Sequence, residues 1–317
     1  MTLLTHCFCV LKYPCRTKDH EVVPMAVMLN DYLKNIYGSK IYKVSINAGV
    51  TCPNRDGTID DRGCIFCSGM GSGDFAESSS MSVTNQIEYG KKRVASKIGE
   101  GNKYIAYFQA FTNTYAPVER LRSLYTEAIN HPDIEILSIA TRPDCLDSDV
   151  LSLLSEMNKI KPVWVELGLQ TIHESTAKYI RRGYLLDVYD KAVNDLKALD
   201  IETIVHVILG LPGESKEDML KTVEYVAKSG VSGIKLQLLH VLKGTDLAAD
   251  YEAGRFECLT LDEYVDMVRD AIALLPEDMV IHRMTGDGDK KLLIAPVWSG
   301  NKKLVLNTLN SALSLNR

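Results

Sequence analysis

The sequence predicts an α/β fold built on parallel strands, and three observations carry that expectation. Strand-like and helix-like segments alternate in series from residue 41 to residue 275. Hydrophobic residues make up 46% of the 317 positions, enough for a large buried core and a normal length for one α/β barrel. The stretch after the first strand-like segment, Thr51 to Ser80, is long, glycine-rich and cysteine-bearing, and a loop of that length inside a compact domain is usually functional.

The expected strands are Ile41–Val50, Tyr104–Ala110, Glu135–Thr141, Pro162–Leu169, Thr203–Leu209 and Gly233–Leu239. They are rich in Val, Ile and Tyr, as half-buried or buried strands are. Between them lie amphipathic segments. In Pro117–Asn130 the side chains of Val118, Leu121, Leu124, Ala128 and Ile129 share one face, with Pro117 expected as the first helical residue. In Lys216–Lys228 Met219, Leu220, Val223, Val226 and Ala227 do the same, and Ser215 reads as the N-cap with Asp218 three residues on. Leu261–Leu275 repeats the pattern. Six β→α units in series imply parallel strands with right-handed crossovers. Spacing alone leaves a partial barrel and a doubly wound open sheet both open, and in either the site belongs at the carboxyl ends of the strands.

The ends differ from this middle. Residues 1–24 carry Cys7, Cys9 and Cys15 without periodicity and are expected to form a poorly ordered extension. Residues 276–317 hold a strand-like Val280–Met284, the turn-prone Gly286–Asp289, a second short strand near Leu292–Val297 and a helical tail. They are expected to form a small α/β cap on the barrel of residues 25–275, since about 40 residues rarely fold alone.

The net charge is −5, so a uniformly basic nucleic-acid surface is excluded and any RNA contact needs a local patch. Lys91-Lys92-Arg93, Arg181-Arg182, Lys290-Lys291 and Lys302-Lys303 are the short basic runs, which read equally as solvated faces. No apolar stretch approaches the ~18 residues that span a bilayer, so no membrane role is expected. Eight cysteines in so long a chain do not make a secreted disulfide scaffold, and the expected setting is a reducing cytoplasm.

Cys52, Cys64 and Cys67 lie within sixteen residues, the last two at Cys-x-x-Cys spacing. Thiolates select zinc, copper(I) or iron–sulfur clusters. A structural zinc would need a fourth ligand, and a thioredoxin-like pair would need its helix directly after the strand. Unrelated structural cysteines are a third reading. The fourth is a cluster with three protein ligands and one open iron, where substrate chemistry can occur.

The loop with Cys64-Ile65-Phe66-Cys67 resembles the radical S-adenosylmethionine (SAM) signature. The eleven residues between Cys52 and Cys64 depart from the superfamily's usual Cys-x3-Cys-x2-Cys, but the longer spacing is similar to the Elp3-related branch. The insert Pro53-Asn54-Arg55-Asp56-Gly57 resembles bacterial members of that branch that lack the acetyltransferase domain. Phe108–Tyr115, Thr141–Asp144, Val165–Gln170 with Arg181–Tyr184, Leu209–Gly213, and Lys235 with Lys243–Thr245 follow in the order the resemblance requires, each at a strand end.

The resemblance implies a partial (β/α)6 TIM-like barrel with a small C-terminal α/β extension. It implies a [4Fe–4S] cluster on Cys52, Cys64 and Cys67, with SAM on the open iron and a 5′-deoxyadenosyl radical as the product of reductive cleavage. Phe66 would pack beside the adenine, or simply fill the core. Gln109 and Asn113 would meet the SAM amino group, or satisfy backbone. Glu166, a charge in an apolar strand, would bind a ribose hydroxyl or a salt-bridge partner in Arg142 or Arg182. Arg182 would hold the SAM carboxylate. Gly210 and Gly213 would let the backbone approach the adenine. No residue is assigned as catalytic, and His206, His240 and His282 read as satisfied core histidines. An external donor such as flavodoxin or ferredoxin is expected. The substrate expected from the branch is transfer RNA, at the C5 side chain of a wobble uridine. A small metabolite or peptide substrate, and a zinc-stabilised binding module, are the alternatives.

Overall fold

The computed structural model describes residues 26–71, 73, 76–95, 102–286 and 288–313. Residues 1–24 with their three cysteines, and Asp287 of the expected turn, lie outside the described residues. In chain order the elements are β1 (Val27–Met28), α1 (Leu29–Tyr37), β2 (Tyr42–Ile46), α2 (Val83–Val94), β3 (Tyr104–Phe108), α3 (Val118–Ile129), β4 (Ile134–Thr141), α4 (Ser148–Asn158), β5 (Val163–Gln170), α5 (Glu174–Tyr179) and α6 (Leu186–Ala198). They continue as β6 (Glu202–Leu209), α7 (Lys216–Lys228), β7 (Gly233–Leu238), β8 (Val241–Leu242), α8 (Asp246–Glu252), α9 (Leu261–Ala273), β9 (Val280–Arg283), β10 (Leu293–Ala295) and α10 (Lys302–Ala312).

The main sheet runs β1-β9-β7-β6-β5-β4-β3-β2, and every neighbouring pair is parallel. Its two edges, β1 and β2, do not pair, so the barrel is partial. The six expected strands are the consecutive run β2 to β7. Beyond them the sheet takes two more: β9, from the region expected to cap the barrel, pairs with β7, and β1 pairs with β9. β8 and β10 form a separate antiparallel pair.

Boundaries follow local chemistry. β2 stops at Ile46 rather than Val50, because the Gln86 side chain takes over the backbone of Asn47, accepting from its N at 2.8 Å and donating to its O at 3.0 Å. Pro117 is the N-cap of α3 and not its first helical residue: its ψ of 135° is extended. Ser215 and Asp218 do form a capping box at α7.

Helices bury their apolar faces on the outside of the sheet, as α3 does with Leu121, Tyr125, Ala128 and Ile129. The inside is layered by the two-residue period of the strands. At the amino ends Leu33, Ile41, Ile105, Ile136, Trp164 and Ile204 form an apolar plug. Two residues further along the strands the inward positions turn polar: Tyr107, Ser138, Glu166, His206 and Lys235. Two further still come Gln109, Ala140, Gly168, Ile208 and Gln237. Ala140 and Gly168 are small, and the space they leave opens a cavity toward the carboxyl ends of the strands.

Candidate functional site

The cavity measures about 260 Å3, and Cys52, Cys64 and Cys67 all line it. The loop that delivers them is braced from within. Arg55 Nη2 donates to the carbonyls of Cys67 at 3.1 Å and Ser68 at 2.6 Å, tying the Cys52 half of the loop to the Cys64–Cys67 half. Gly63, at φ +79°, runs beneath that guanidinium; a Cβ there would stand 2.9 Å from Arg55 Nε. Asn54 Nδ2 lies 2.6 Å from the Arg181 carbonyl and 3.4 Å from Cys64 Sγ, anchoring the loop to the end of α5. Gly183 makes room for this clamp: it sits at φ +84°, and a Cβ on it would lie 2.8 Å from Asn54 Oδ1.

The Cys64 thiol is pushed up to about 12 by burial and by its neighbour Cys67, against a downward pull from Arg142 and Asn54. A metal bound there must therefore displace its proton. The three cysteine sulfurs do not gather within 4.8 Å of one another; among the described residues the group of three possible ligands that does is Glu88, His131 and Asp133. Thiolates sharing one tetrahedral zinc sit about 3.8 Å apart, given Zn–S near 2.3 Å, and the three cysteine sulfurs are not drawn together in that way. At Glu88 and Asp133 the Lys91 ammonium, at 2.7 and 2.5 Å, occupies the place a cation would take.

At the cavity floor Glu166, fully buried, gathers four partners. Lys43 Nζ lies at 2.5 Å, Ser138 Oγ at 2.7 Å and His206 Nε2 at 2.7 Å, and Lys235 Nζ is in direct contact. Lys235 also donates to the Tyr107 hydroxyl at 3.2 Å and lies over its ring. Burial opposes ionising Glu166, but Lys235, Lys43 and the His206 bond outweigh it and hold the carboxyl well below its usual range. Burial, helped by Lys235, drives His206 down to about 4, so its ring is neutral. The salt bridge expected for Glu166 is thus formed with lysines and not with Arg142 or Arg182. Arg142 pairs with Asp144 at 2.7 Å. Arg182 lines the cavity but donates to Thr171 O at 2.6 Å, Tyr184 O at 3.0 Å and Glu174 at 3.0 Å.

Of the other expected contacts, Phe66 and Gln109 line the cavity, the latter accepting from Ser45 Oγ at 2.9 Å. Asn113 and Gly210 are not among the lining residues. Asn113 is fully buried and its Nδ2 stitches β3 to β4 through Phe108 O at 3.0 Å and Ala140 O at 2.9 Å. Gly210 turns at φ +92° against Leu259 and Leu239.

Sequence reasoning passed over Gln170. It closes β5 at φ +69°, uncommon for a residue with a side chain, beside a register shift in the β5–β6 ladder. Among the described residues no hydrogen-bond partner reaches its buried Oε1, and the residue lines the cavity. A left-handed backbone and an unpaired acceptor at a cavity wall are what a ligand contact would account for. The two-residue spacing Trp164, Glu166, Gly168, Gln170 is the signal that could have placed it inward with Glu166.

A partial parallel barrel that presents three thiols and a polar cavity at the carboxyl ends of its strands is built as an enzyme working through a thiolate-held metal centre. Residues 47–226 match the Radical SAM superfamily and residues 231–314 the radical SAM C-terminal domain, so the chain belongs to the radical SAM superfamily. Its cofactors are a [4Fe–4S] cluster and SAM, and the zinc-stabilised binding module is set aside. The chain is 47% identical over 285 residues to the uncharacterised protein YtqA of Bacillus subtilis, covering 90% of this chain and 88% of that one. It is 37% identical over 276 residues to the protein YhcC of Escherichia coli, covering 87% and 88%. Elongator complex protein 3 of Schizosaccharomyces pombe is 29% identical over 178 residues, 55% of this chain and 32% of that one. Among solved structures, an archaeal Methanocaldococcus infernus Elp3 with an N-terminal deletion superposes with a TM-score of 0.64 at 17% identity, over 86% of this chain and 63% of that chain, a likeness of fold. Together these relatives fit an Elp3-related branch lacking the acetyltransferase domain. Among the described residues no helix is long and apolar enough to cross a membrane.

Proposed function

We propose that Cys52, Cys64 and Cys67 hold the [4Fe–4S] cluster and that the chain directs radical chemistry at the C5 side chain of a transfer RNA wobble uridine. The observation that carries the cluster assignment is that one braced loop points three thiols into the same cavity as the unpaired Oε1 of Gln170. Bound there, the cluster and SAM supply a carbon-centred radical by one-electron cleavage of the sulfonium C–S bond. The chain's own groups do the rest. Gln170 accepts from a hydroxyl or amine of SAM, and Phe66 and Gln109 bound the cofactor beside the loop. The apolar plug of Trp164, Ile105 and Ile136 keeps solvent from entering through the amino end of the barrel. The reductant every such enzyme needs is proposed to be a flavodoxin or ferredoxin, in a cytoplasm that keeps these free thiols reduced.

Two things support the transfer RNA reading. A tRNA uridine(34) acetyltransferase of Methanocaldococcus infernus is 26% identical over 169 residues, 52% of this chain and 31% of that one. Lys243, Lys290 and Lys291 are exposed and brought together where Lys243 N donates to Leu292 O at 2.7 Å, next to Leu242 and Gly288 of the cavity lining. Those lysines offer phosphate contacts in an otherwise acidic chain. An already modified uridine is the expected target, since no acetyl-transferring step is assumed.

Two measurements test the proposal. Anaerobic reconstitution with iron, sulfide, dithionite and SAM should yield 5′-deoxyadenosine, and Cys64→Ala should lose both iron and product while keeping its circular dichroism spectrum. Comparison of the modified nucleosides in tRNA from cells with and without the gene should show one wobble-uridine derivative replaced by another. Identical nucleoside profiles would remove the RNA substrate and leave a small metabolite or peptide.

A further inference from the structure

Asn54 follows Cys52 in the loop and is fully buried. Its backbone carbonyl accepts from Gly63 N at 2.6 Å, so the residue before Cys64 is tied to the one that touches the Cys64 sulfur. The side-chain nitrogen of Asn54 gives its two hydrogens to two acceptors, the Arg181 carbonyl at 2.6 Å and Cys64 Sγ at 3.4 Å. Turning the amide over would set its oxygen against both, so these partners fix its orientation. Among the described residues no donor reaches Asn54 Oδ1, so that orientation is held although it leaves a buried acceptor unpaired. Cys64 Sγ in turn lies 3.6 Å from the Arg181 carbonyl, to which the protonated thiol donates. A thiolate bound to metal has no such proton. Sulfur and carbonyl then face each other as two acceptors, and the Asn54 amide, bonded to both, offsets their repulsion.

We infer that Asn54 is a positioning residue that raises the reduction potential of the cluster by donating an N–H to the Cys64 sulfur. The inference rests on the assignment of Cys64 as a cluster ligand. Hydrogen bonds to ligand sulfurs are among the determinants of iron–sulfur potentials, and the partners of metal ligands tune the centre they flank. The sign follows from charge. Reduction adds one electron, part of whose charge falls on the ligand sulfurs, and an N–H donor interacts more strongly with a more negative acceptor. The Asn54 bond therefore favours the reduced state. One electron enters from the flavodoxin or ferredoxin; no bond forms or breaks, and Asn54 keeps its protons. Arg55 acts differently in the same loop, since its guanidinium spans the Cys67 and Ser68 carbonyls and braces the backbone.

The test uses the full chain, reconstituted anaerobically with iron and sulfide and no SAM, with the reduced cluster followed by electron paramagnetic resonance across a mediated redox titration. Asn54→Leu keeps the size of the side chain and removes both hydrogens. At a fixed potential its ratio of reduced to oxidised cluster should be about tenfold lower than in the parent, a downward shift of about 59 mV for one electron. Asn54→Asp, which puts carboxylate oxygen where the donor was, should move the potential further down. Arg55→Lys, which loosens the brace and keeps the charge, should retain less iron while the clusters that form keep the parent potential. A second measurement needs no variant: asparagine carrying a heavy nitrogen isotope at its side-chain amide should give a hyperfine coupling to the reduced cluster of the parent in pulsed resonance. Parent potential in Asn54→Leu, an equal shift in Arg55→Lys, or no such coupling in the parent each overturns the inference and spares the cluster. A parent chain that takes up no iron overturns the cluster assignment as well.

Discussion

The side-chain amide of Asn54 reaches the sulfur of Cys64 at 3.4 Å while its other hydrogen goes to the Arg181 carbonyl at 2.6 Å, so one residue fixes a thiol and the turn after α5 that flanks it. Asn54→Ala should leave that carbonyl and sulfur without their donor. The expected cost is about 1–3 kcal/mol in urea unfolding, with fewer irons retained after reconstitution than in the parent chain. Unchanged stability and full iron content would show that the clamp is dispensable.

Glu166 binds two lysines in the barrel interior, so removing it strands their charge. Glu166→Ala should lower the free energy of unfolding by about 3–5 kcal/mol, measured by denaturant titration. Lys43→Met in the same background should restore part of the loss, because it removes one of the uncompensated cations.

Acid should destabilise the floor of the barrel. His206 is depressed to about 4 in the folded chain and titrates near 6.5 when unfolded, so between those values the unfolded chain binds more protons. Stability then rises with pH across the window from about 4 to 6.5, by about 3 kcal/mol for this group. Glu166 acts in the same direction lower down: its depressed carboxyl contributes stability above the unfolded value near 4.3, lost as pH falls through the folded one. Unfolding measured from pH 4 to 7 should trace this slope, and His206→Gln should flatten it, leaving the share of His282, which burial also lowers.

Gln170 holds an unpaired buried oxygen in a left-handed backbone turn. Gln170→Ala keeps the turn and deletes the oxygen. The cofactor-free chain should gain about 1 kcal/mol in stability, while SAM affinity should fall about tenfold by calorimetry. Equal SAM affinity in the two proteins would refute the assigned contact.

Much of this was legible beforehand. The strands β3 to β7 begin and end within two residues of where their Val, Ile and Tyr runs suggest, and α7 spans Lys216–Lys228 as its apolar period requires. These are local signals: burial of a two-sided strand and of one helix face writes itself into composition and period. The loop that carries the three cysteines was legible too, because its length and cysteine content stand out in the sequence, and all three residues line the cavity.

Partnerships between strands were not legible in the same way. A lone Glu in an apolar strand announces that it needs a partner, yet Lys43, 123 residues away, and Lys235, 69 residues away, meet it only once the sheet order β7-β6-β5-β4-β3-β2 curls their inward faces together. The recruitment of β9 and β1 into the main sheet, and the withdrawal of Asn113 from the cavity into the β3–β4 backbone, are decisions of the same kind. The chain alone determined its elements and its thiol loop through short-range periodicity and spacing. The tertiary structure decided the charge pairing and the cavity floor, because electrostatic and hydrogen-bond partners are chosen by proximity in space, which the order of residues does not encode locally.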